Sequence, residues 1–177
     1  ASINENFDTY AFATLPLCWT QIKNGTGSAP NSYVYVADTN FNSASRSIRM
    51  YHSYSVEDAN LILATPAVSN LSAGTHRIKF FAKSGSGTPN IQFGTIDINS
   101  AQGTFTEVAA VTINNTYTEY TIDYTQYTGT DTYIAIKHAG TSGTSIYIDD
   151  FRWEVAPLCP DVTEITVPAL TASTATI

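Results

Sequence analysis

Apolar residues recur at every second position in eight short runs of this chain, and that period limits the fold more than any other feature. "SYVYVAD" sets Val34 and Val36 against Tyr33 and Tyr35. "RSIRMYHSYS" puts Ile48, Met50 and His52 on one side and Arg49, Tyr51 and Ser53 on the other. "HRIKFFAKS", "NIQFGTI", "FTEVAAVTI", "YTEYTIDY", "TYIAIKH" and "SIYIDDFRWEV" continue the pattern. Side chains of a strand point alternately to its two faces, so each run predicts a strand with one buried and one wet face. Turn signals such as "LSAGT", "SGSGTP" and "AGTSGTS" separate the runs, and convincing helix signals are absent. Many short strands in 177 residues predict an all-β fold, a two-sheet antiparallel jelly-roll sandwich. In "VEDANLILATPAVSN", Pro66 argues against a central strand, so Leu61 to Leu63 is read as a short strand followed by an irregular link.

The predicted sandwich occupies residues 1–156. After Val155 the texture changes: "APLCPDVTEITVPALTASTATI" places Pro157, Pro160 and Pro168 in a short span and then alternates again. This segment, 157–177, reads as a linker and the truncated start of another domain of a longer, multidomain chain, because a strand pair alone buries too little surface to be stable.

Composition narrows the function. Charged residues make up 13% and the formal net charge is −7, which is the wrong footprint for nucleic acid. No apolar run approaches the ~20 residues that cross a bilayer. The balance fits an exported protein, secreted or at the cell surface. In that setting the two cysteines, Cys18 and Cys159, are read as a disulfide rather than as two unrelated buried thiols.

Two adjacent acids interrupt the last run. In "SIYIDDFRWEV", Ile146 and Ile148 share one parity, while Phe151, Trp153 and Val155 share the other. If both sets face the core, one extra residue must be absorbed at Asp149 and Asp150, which a β-bulge does. A carboxylate beside a core strand must be paired, protonated or bound to a cation. First and last strands of a sandwich commonly lie side by side, so Asp8 can meet Asp149, with Asp150, Glu5 and Asp38 as further candidates. Oxygen-only ligands suit calcium rather than zinc. The alternative is that these acids are solvated or cap turns.

Catalysis finds little support. His52, His76 and His138 fall in separate runs, no metalloprotease or nucleophile-elbow motif is present, and Cys18 lacks a nearby base. A jelly-roll glycoside hydrolase needs two opposed carboxylates across a cleft, and adjacent acids on a regular strand would diverge. Binding has positive signals. Sugars are gripped by aromatic surfaces with polar rims, and Arg46, Arg49, Tyr51, His52 and Tyr54 crowd one short region. Arginine could also fork onto a uronate or sulfate. The bland reading is that most of these aromatics are ordinary core or edge residues; Trp19 and Trp153 are read as core.

"ENFD" with "LPLCWT", "LILATPAVSNLSAGTHRIKFFAKS" and "YIAIKHAGTSGTSIYIDDFRWE" together resemble the MAM-like and cleaved-adhesin-like jelly-roll modules of secreted bacterial proteins, over residues 3 to 156. The resemblance implies a structural calcium ion between Asp8 and Asp149. The segment "TQIKNGTGSAPNS" departs from the acid-rich stretch that often follows the Trp in such modules, which puts a second calcium site in doubt. The tail "PDVTEITVPALTASTATI" is similar to the start of a fibronectin type III domain. The reading is a non-catalytic carbohydrate-binding module of a larger secreted protein, its partners a polysaccharide or glycan and the other domains of the parent chain. The alternatives are a protein–protein adhesion or spacer module and, further off, a glycoside hydrolase.

Overall fold

The computed structural model describes residues 1–24, 32–53, 60–138 and 143–157. Eleven strands are assigned: β1 (Ile3–Glu5), β2 (Thr20–Asn24), β3 (Tyr33–Ala37), β4 (Ser47–His52), β5 (Asn60–Ala64), β6 (His76–Ser84), β7 (Asn90–Ile96), β8 (Phe105–Thr112), β9 (Thr118–Asp123), β10 (Tyr133–His138) and β11 (Thr144–Val155). A single 3₁₀ turn, Leu71–Ala73, lies among the described residues. One sheet has six strands, in the order β3-β4-β11-β6-β9 with β1 added against β11; the other has five, in the order β2-β5-β10-β7-β8. All pairings are antiparallel. This is the two-sheet sandwich that the alternation predicts.

The inward parities of both sheets meet in one core. Ile48 and Met50, Ile78 and Phe80, Leu61 and Leu63, Ile134 and Ile136 all belong to it, together with Phe7, Trp19, Phe93, Tyr124, Phe151 and Trp153. The phenol of the fully buried Tyr124 donates to the Gly94 carbonyl at 2.9 Å. That bond supplies the partner a buried hydroxyl requires, and burial raises the phenol's pKa. At Phe93/Gly94 the register of β7 against β8 shifts. A Cβ on Gly94 would lie 2.0 Å from the Thr106 carbonyl oxygen, so only glycine lets the bulged strand approach this closely.

Two strand expectations need correction. β5 is not a marginal strand: it lies between β2 and β10, and Leu61 to Ala64 are buried on both faces. Pro66 falls beyond the strand's end, where it disturbs no ladder bond. The strand β2, "TQIKN", is not among the alternating runs and emerges only in the structure. The expected linker and second domain over 157–177 lie outside the described residues except at Pro157.

Candidate functional site

The acids at 149 and 150 mark a change of partner. From Thr144 to Ile148, β11 pairs with β4; from Phe151 to Trp153 it pairs with β1 on that same flank. Between them the register against β6 shifts between Asp149 and Arg152, and Asp150 takes φ +50°. The expected bulge is present. At the junction, the loop 38–46 that joins β3 to β4 has amide N–H groups with no ladder to enter, and buried amides must find acceptors. The carboxylates supply them. Asp149 Oδ2 accepts from the Asn42 and Ser43 amides at 2.7 and 3.0 Å, and its Oδ1 accepts from the Asp150 amide at 2.8 Å. Asp150 accepts from Asn42 Nδ2 at 2.9 Å and Ser43 Oγ at 2.8 Å. Asp8 accepts from the amides of Ser45 and Arg46, the latter at 2.9 Å. Asp8 and Asp149 therefore hold successive stretches of one loop.

Asp149 is fully buried. Desolvation, and behind it the neighbouring Asp150 charge, push its pKa up to about 6, against the pull of the Asn42, Asp150 and Ser43 amides. None of the ion pairs among the described residues involves Asp149, Asp150 or Asp8. The other two candidates are engaged elsewhere. Glu5 accepts from the Phe7 amide at 2.8 Å and from the Tyr10 hydroxyl at 3.1 Å; Asp38 lies 3.8 Å from the Arg46 guanidinium. Among the described residues, no group of three or more His, Cys, Asp or Glu side chains is arranged to hold a metal ion. The donor set fits calcium only in part. Asp149 and Asp150, with Ser43 Oγ and the Asn42 side-chain carbonyl, offer oxygens and a negative charge without an ion-pair partner among the described residues, whereas Glu5 is taken by the Phe7 amide and the Tyr10 hydroxyl and Asp38 by Arg46.

The second candidate surface is the outer face of the six-stranded sheet. The register places Tyr35, Arg49, Tyr147 and Lys83 in one row across β3, β4, β11 and β6, with Tyr33, Tyr51 and Ser145 in the next row. Tyr33 stacks on Tyr35 and on Tyr51, ring centroids 5.0 Å apart in both cases, and Phe12 meets Tyr35 edge-on at 5.5 Å. Arg49 Cζ lies 5.5, 5.6 and 5.8 Å from the rings of Tyr33, Tyr51 and Tyr147. Its Nε and Nη2 donate to Ser145 Oγ, and its Nη1 donates to the Tyr35 hydroxyl. Burial alone would lower the guanidinium's pKa; Tyr147, Tyr35 and Tyr33 outweigh it and the pKa rises. The result is a fixed cation set among tyrosines, a geometry in which cation–π attraction operates.

Of the residues proposed for sugar, Arg49 and Tyr51 sit on this surface. His52 does not. The alternation that turns Arg49 and Tyr51 outward turns Met50 and His52 inward, and the His52 ring lies in the interior, 5.6 Å from that of His138. Arg46 precedes β4 and belongs to the acid-held loop through its amide and Asp38. Tyr54 lies outside the described residues, as does Cys159; Cys18 is exposed. Tyr147, Ser145 and Lys83 were missed because strand order and register, which sequence alternation does not encode, bring them beside Arg49.

A shallow groove of about 430 Å³ lies elsewhere, with Glu107, Val108, Asp123, Gln126 and Tyr127 among the residues that line it. No helix among the described residues is long and apolar enough to cross a membrane.

No protein-family model matches the chain, and no curated protein matches it. Solved structures do. The K1 cleaved adhesin domain of Lys-gingipain from Porphyromonas gingivalis W83 matches at TM-score 0.65 and 15% identity, over 89% of this chain and 99% of that one. The CBM22-1 xylan-binding domain from Paenibacillus barcinonensis matches at TM-score 0.56 and 13% identity, over 86% and 92%. The family 11 carbohydrate-binding module from Clostridium thermocellum, in complex with a β-1,3-1,4-mixed-linked tetrasaccharide, matches at 0.57 and 10%, over 88% and 96%. At these identities the likeness establishes the jelly-roll fold.

Proposed function

We propose that the chain is a non-catalytic carbohydrate-binding module of a secreted protein, and that it holds glycan on the outer face of the six-stranded sheet. The observation that carries this reading is the set of Tyr33, Tyr35 and Tyr51 stacked around Arg49. It presents half-buried aromatic rings, phenol hydroxyls and guanidinium N–H groups on one open surface, the mixture that grips sugar rings and their hydroxyls. The described neighbours with this fold include two carbohydrate-binding modules, which supports the reading. Affinity electrophoresis against a panel of soluble polysaccharides tests it. At least one should retard the chain, and Tyr33→Ala with Tyr51→Ala should abolish the retardation while the melting temperature stays within a few degrees. Unchanged retardation in the double variant would move the site off this face.

Calcium belongs to the same proposal as a structural ion. Asp149 and Asp8 would hold it, with Asp150 and the Ser43 and Asn42 oxygens assisting, and it would neutralise carboxylates that have no ion-pair partner among the described residues. Chelation with EGTA should lower the melting temperature and calcium should restore it, magnesium much less so. Asp149→Asn should remove most of that response.

A second reading, protein–protein adhesion, draws on the exposed apolar side chains of Phe12 and Leu17, 52% and 83% accessible. It predicts that no polysaccharide retards the chain.

A further inference from the structure

Five of the chain's eight basic residues, Arg49, Arg77, Lys79, Lys83 and Arg152, project from one face of one sheet in a protein of net charge −7. Three of them are neutralised. Arg77 pairs with Glu154 at 2.9 Å, and Lys79 and Arg152 share Glu119 at 3.0 and 2.9 Å. The other two meet no acid among the described residues. There, Arg49 is bound only by hydroxyls and tyrosine rings, and Lys83 only by the Asn40 side-chain carbonyl oxygen at 3.1 Å and the Tyr117 ring at 5.9 Å. Of the acids one row along the sheet, Asp149 and its neighbour Asp150 turn their oxygens to the loop at 42–43, and Glu119 is held by Lys79 and Arg152.

A half-buried guanidinium without a carboxylate is uncommon, because taking a charge out of water is costly unless an opposite charge meets it. Arg49 uses three of its five donors. Lys83 stands on the far side of Tyr147 in the same row, two strands away, which is about 10 Å between backbones. Two uncompensated cations at that spacing, on a surface of phenol hydroxyls, match an anion repeated along a polymer.

Resting on the glycan-binding reading, we infer that the polysaccharide recognised here is anionic, its carboxylate or sulfate groups meeting Arg49 and Lys83. Uronates and sulfate esters share this chemistry. The tyrosine hydroxyls would take the neutral hydroxyls between the charged groups, and Arg49 would meet two oxygens of a carboxylate or sulfate through its fork.

The test is affinity electrophoresis of the full chain through gels carrying polygalacturonate, a sulfated galactan, neutral xylan or neutral mixed-linkage β-glucan. A protein of net charge −7 has no general attraction to a polyanion, so retention in an anionic gel reports a local site. The expected result is retention by an anionic gel and not by the neutral ones, with the two anionic gels separating carboxylate from sulfate. Retention should weaken as sodium chloride is raised. Arg49→Gln should raise the dissociation constant about tenfold, Arg49→Lys less. Lys83→Gln should weaken binding by a smaller factor, and decides the matter if Arg49→Gln fails to fold. Equal retention by neutral gels, unaffected by Arg49→Gln and Lys83→Gln, overturns this inference and leaves the glycan-binding reading standing. Retention by none of the four overturns both.

Discussion

The two outer faces of the sandwich follow the same alternation and come out unlike. On the five-stranded sheet the outward residues Ile22, Ile62, Ala64, Ile96 and Ala135 form a second, smaller apolar cluster, all at most 2% exposed, with Phe105 and Tyr133 packed against it. The loop at 97–104 folds back on that face: Asn99 Nδ2 donates to Thr20 Oγ1 at 2.9 Å, and Gly103 packs against the Ile96 side chain. On the six-stranded sheet Tyr33, Tyr35, Arg49 and Tyr51 are half-buried against one another, beside the buried Tyr147 and Ser145. Strands of both sheets, β2 and β5 excepted, show period two in sequence, yet one outer face behaves as core and the other as a surface on which side chains hold each other in place. Exposure to a ligand is thus decided by what lies over a sheet, not by the parity of its strands.

That contrast sets the expected sizes of effect. Ala135 lies opposite both Ala64 and Gly94 and is fully buried. Ala135→Asp would bury an unpaired charge at about 3–5 kcal/mol, which for a chain this long lowers the melting temperature by about 10 °C or more. Calorimetry checks it; a loss of only a degree or two would mean that this outer face is wet.

The next effect sets one group from each sheet against the other. Burial, with His52 nearby, brings the His138 pKa down to about 4 from an ordinary 6.5. A base with a lowered folded pKa gives stability that is present above 6.5 and is lost as the pH falls towards 4. Asp149 works the other way: with its folded pKa near 6 against 3.8, stability is regained as the pH falls between those values. Each amounts to about 3 kcal/mol, so the two nearly cancel between pH 6.5 and 4. Asp149→Asn should remove the compensating arm and make chelated protein lose stability steeply with acid, while His138→Gln should make it gain. Parallel pH profiles for both variants and the parent, by urea denaturation, would refute the opposition.

The smallest stability effect is expected at Tyr51→Ala. The ring is half-buried against lateral neighbours, so the cost should stay at about 1 kcal/mol, as for other removals of an aromatic pair at a surface. Glycan retention should fall all the same. A large loss of stability with full retention would make the tyrosine face structural.

Much of this was legible in the sequence. Alternation locates β3, β4 and β6 to β11, and the parity conflict between Ile148 and Phe151 locates the bulge at Asp149 and Asp150. The adjacency of first and last strands also held, with Ile3 opposite Trp153. What the acids touch was not legible. Asp149 takes the amides of Asn42 and Ser43, 107 and 106 residues away, and Asp8 those of Ser45 and Arg46, 37 and 38 residues away, and amide donors leave no mark in a sequence. β2 was hidden because Gln21 and Lys23 interrupt its apolar pattern with polar residues on the inner side, where Gln21 accepts from the Val34 amide. The His52 assignment failed through proximity: Tyr51 and His52 are neighbours in the chain and lie on opposite faces of one strand.

The central claim is that ligand meets the chain on the outer face of β3, β4 and β11. Backbone amide chemical shifts of ¹⁵N-labelled protein, followed while an oligosaccharide from a retained polysaccharide is titrated in, test it most directly. The account predicts saturable shifts concentrated at Tyr33, Tyr35, Arg49, Tyr51, Ser145 and Tyr147, with the five-stranded sheet unmoved. Shifts centred instead on Glu107, Asp123 and Tyr127, around the shallow groove, would contradict it.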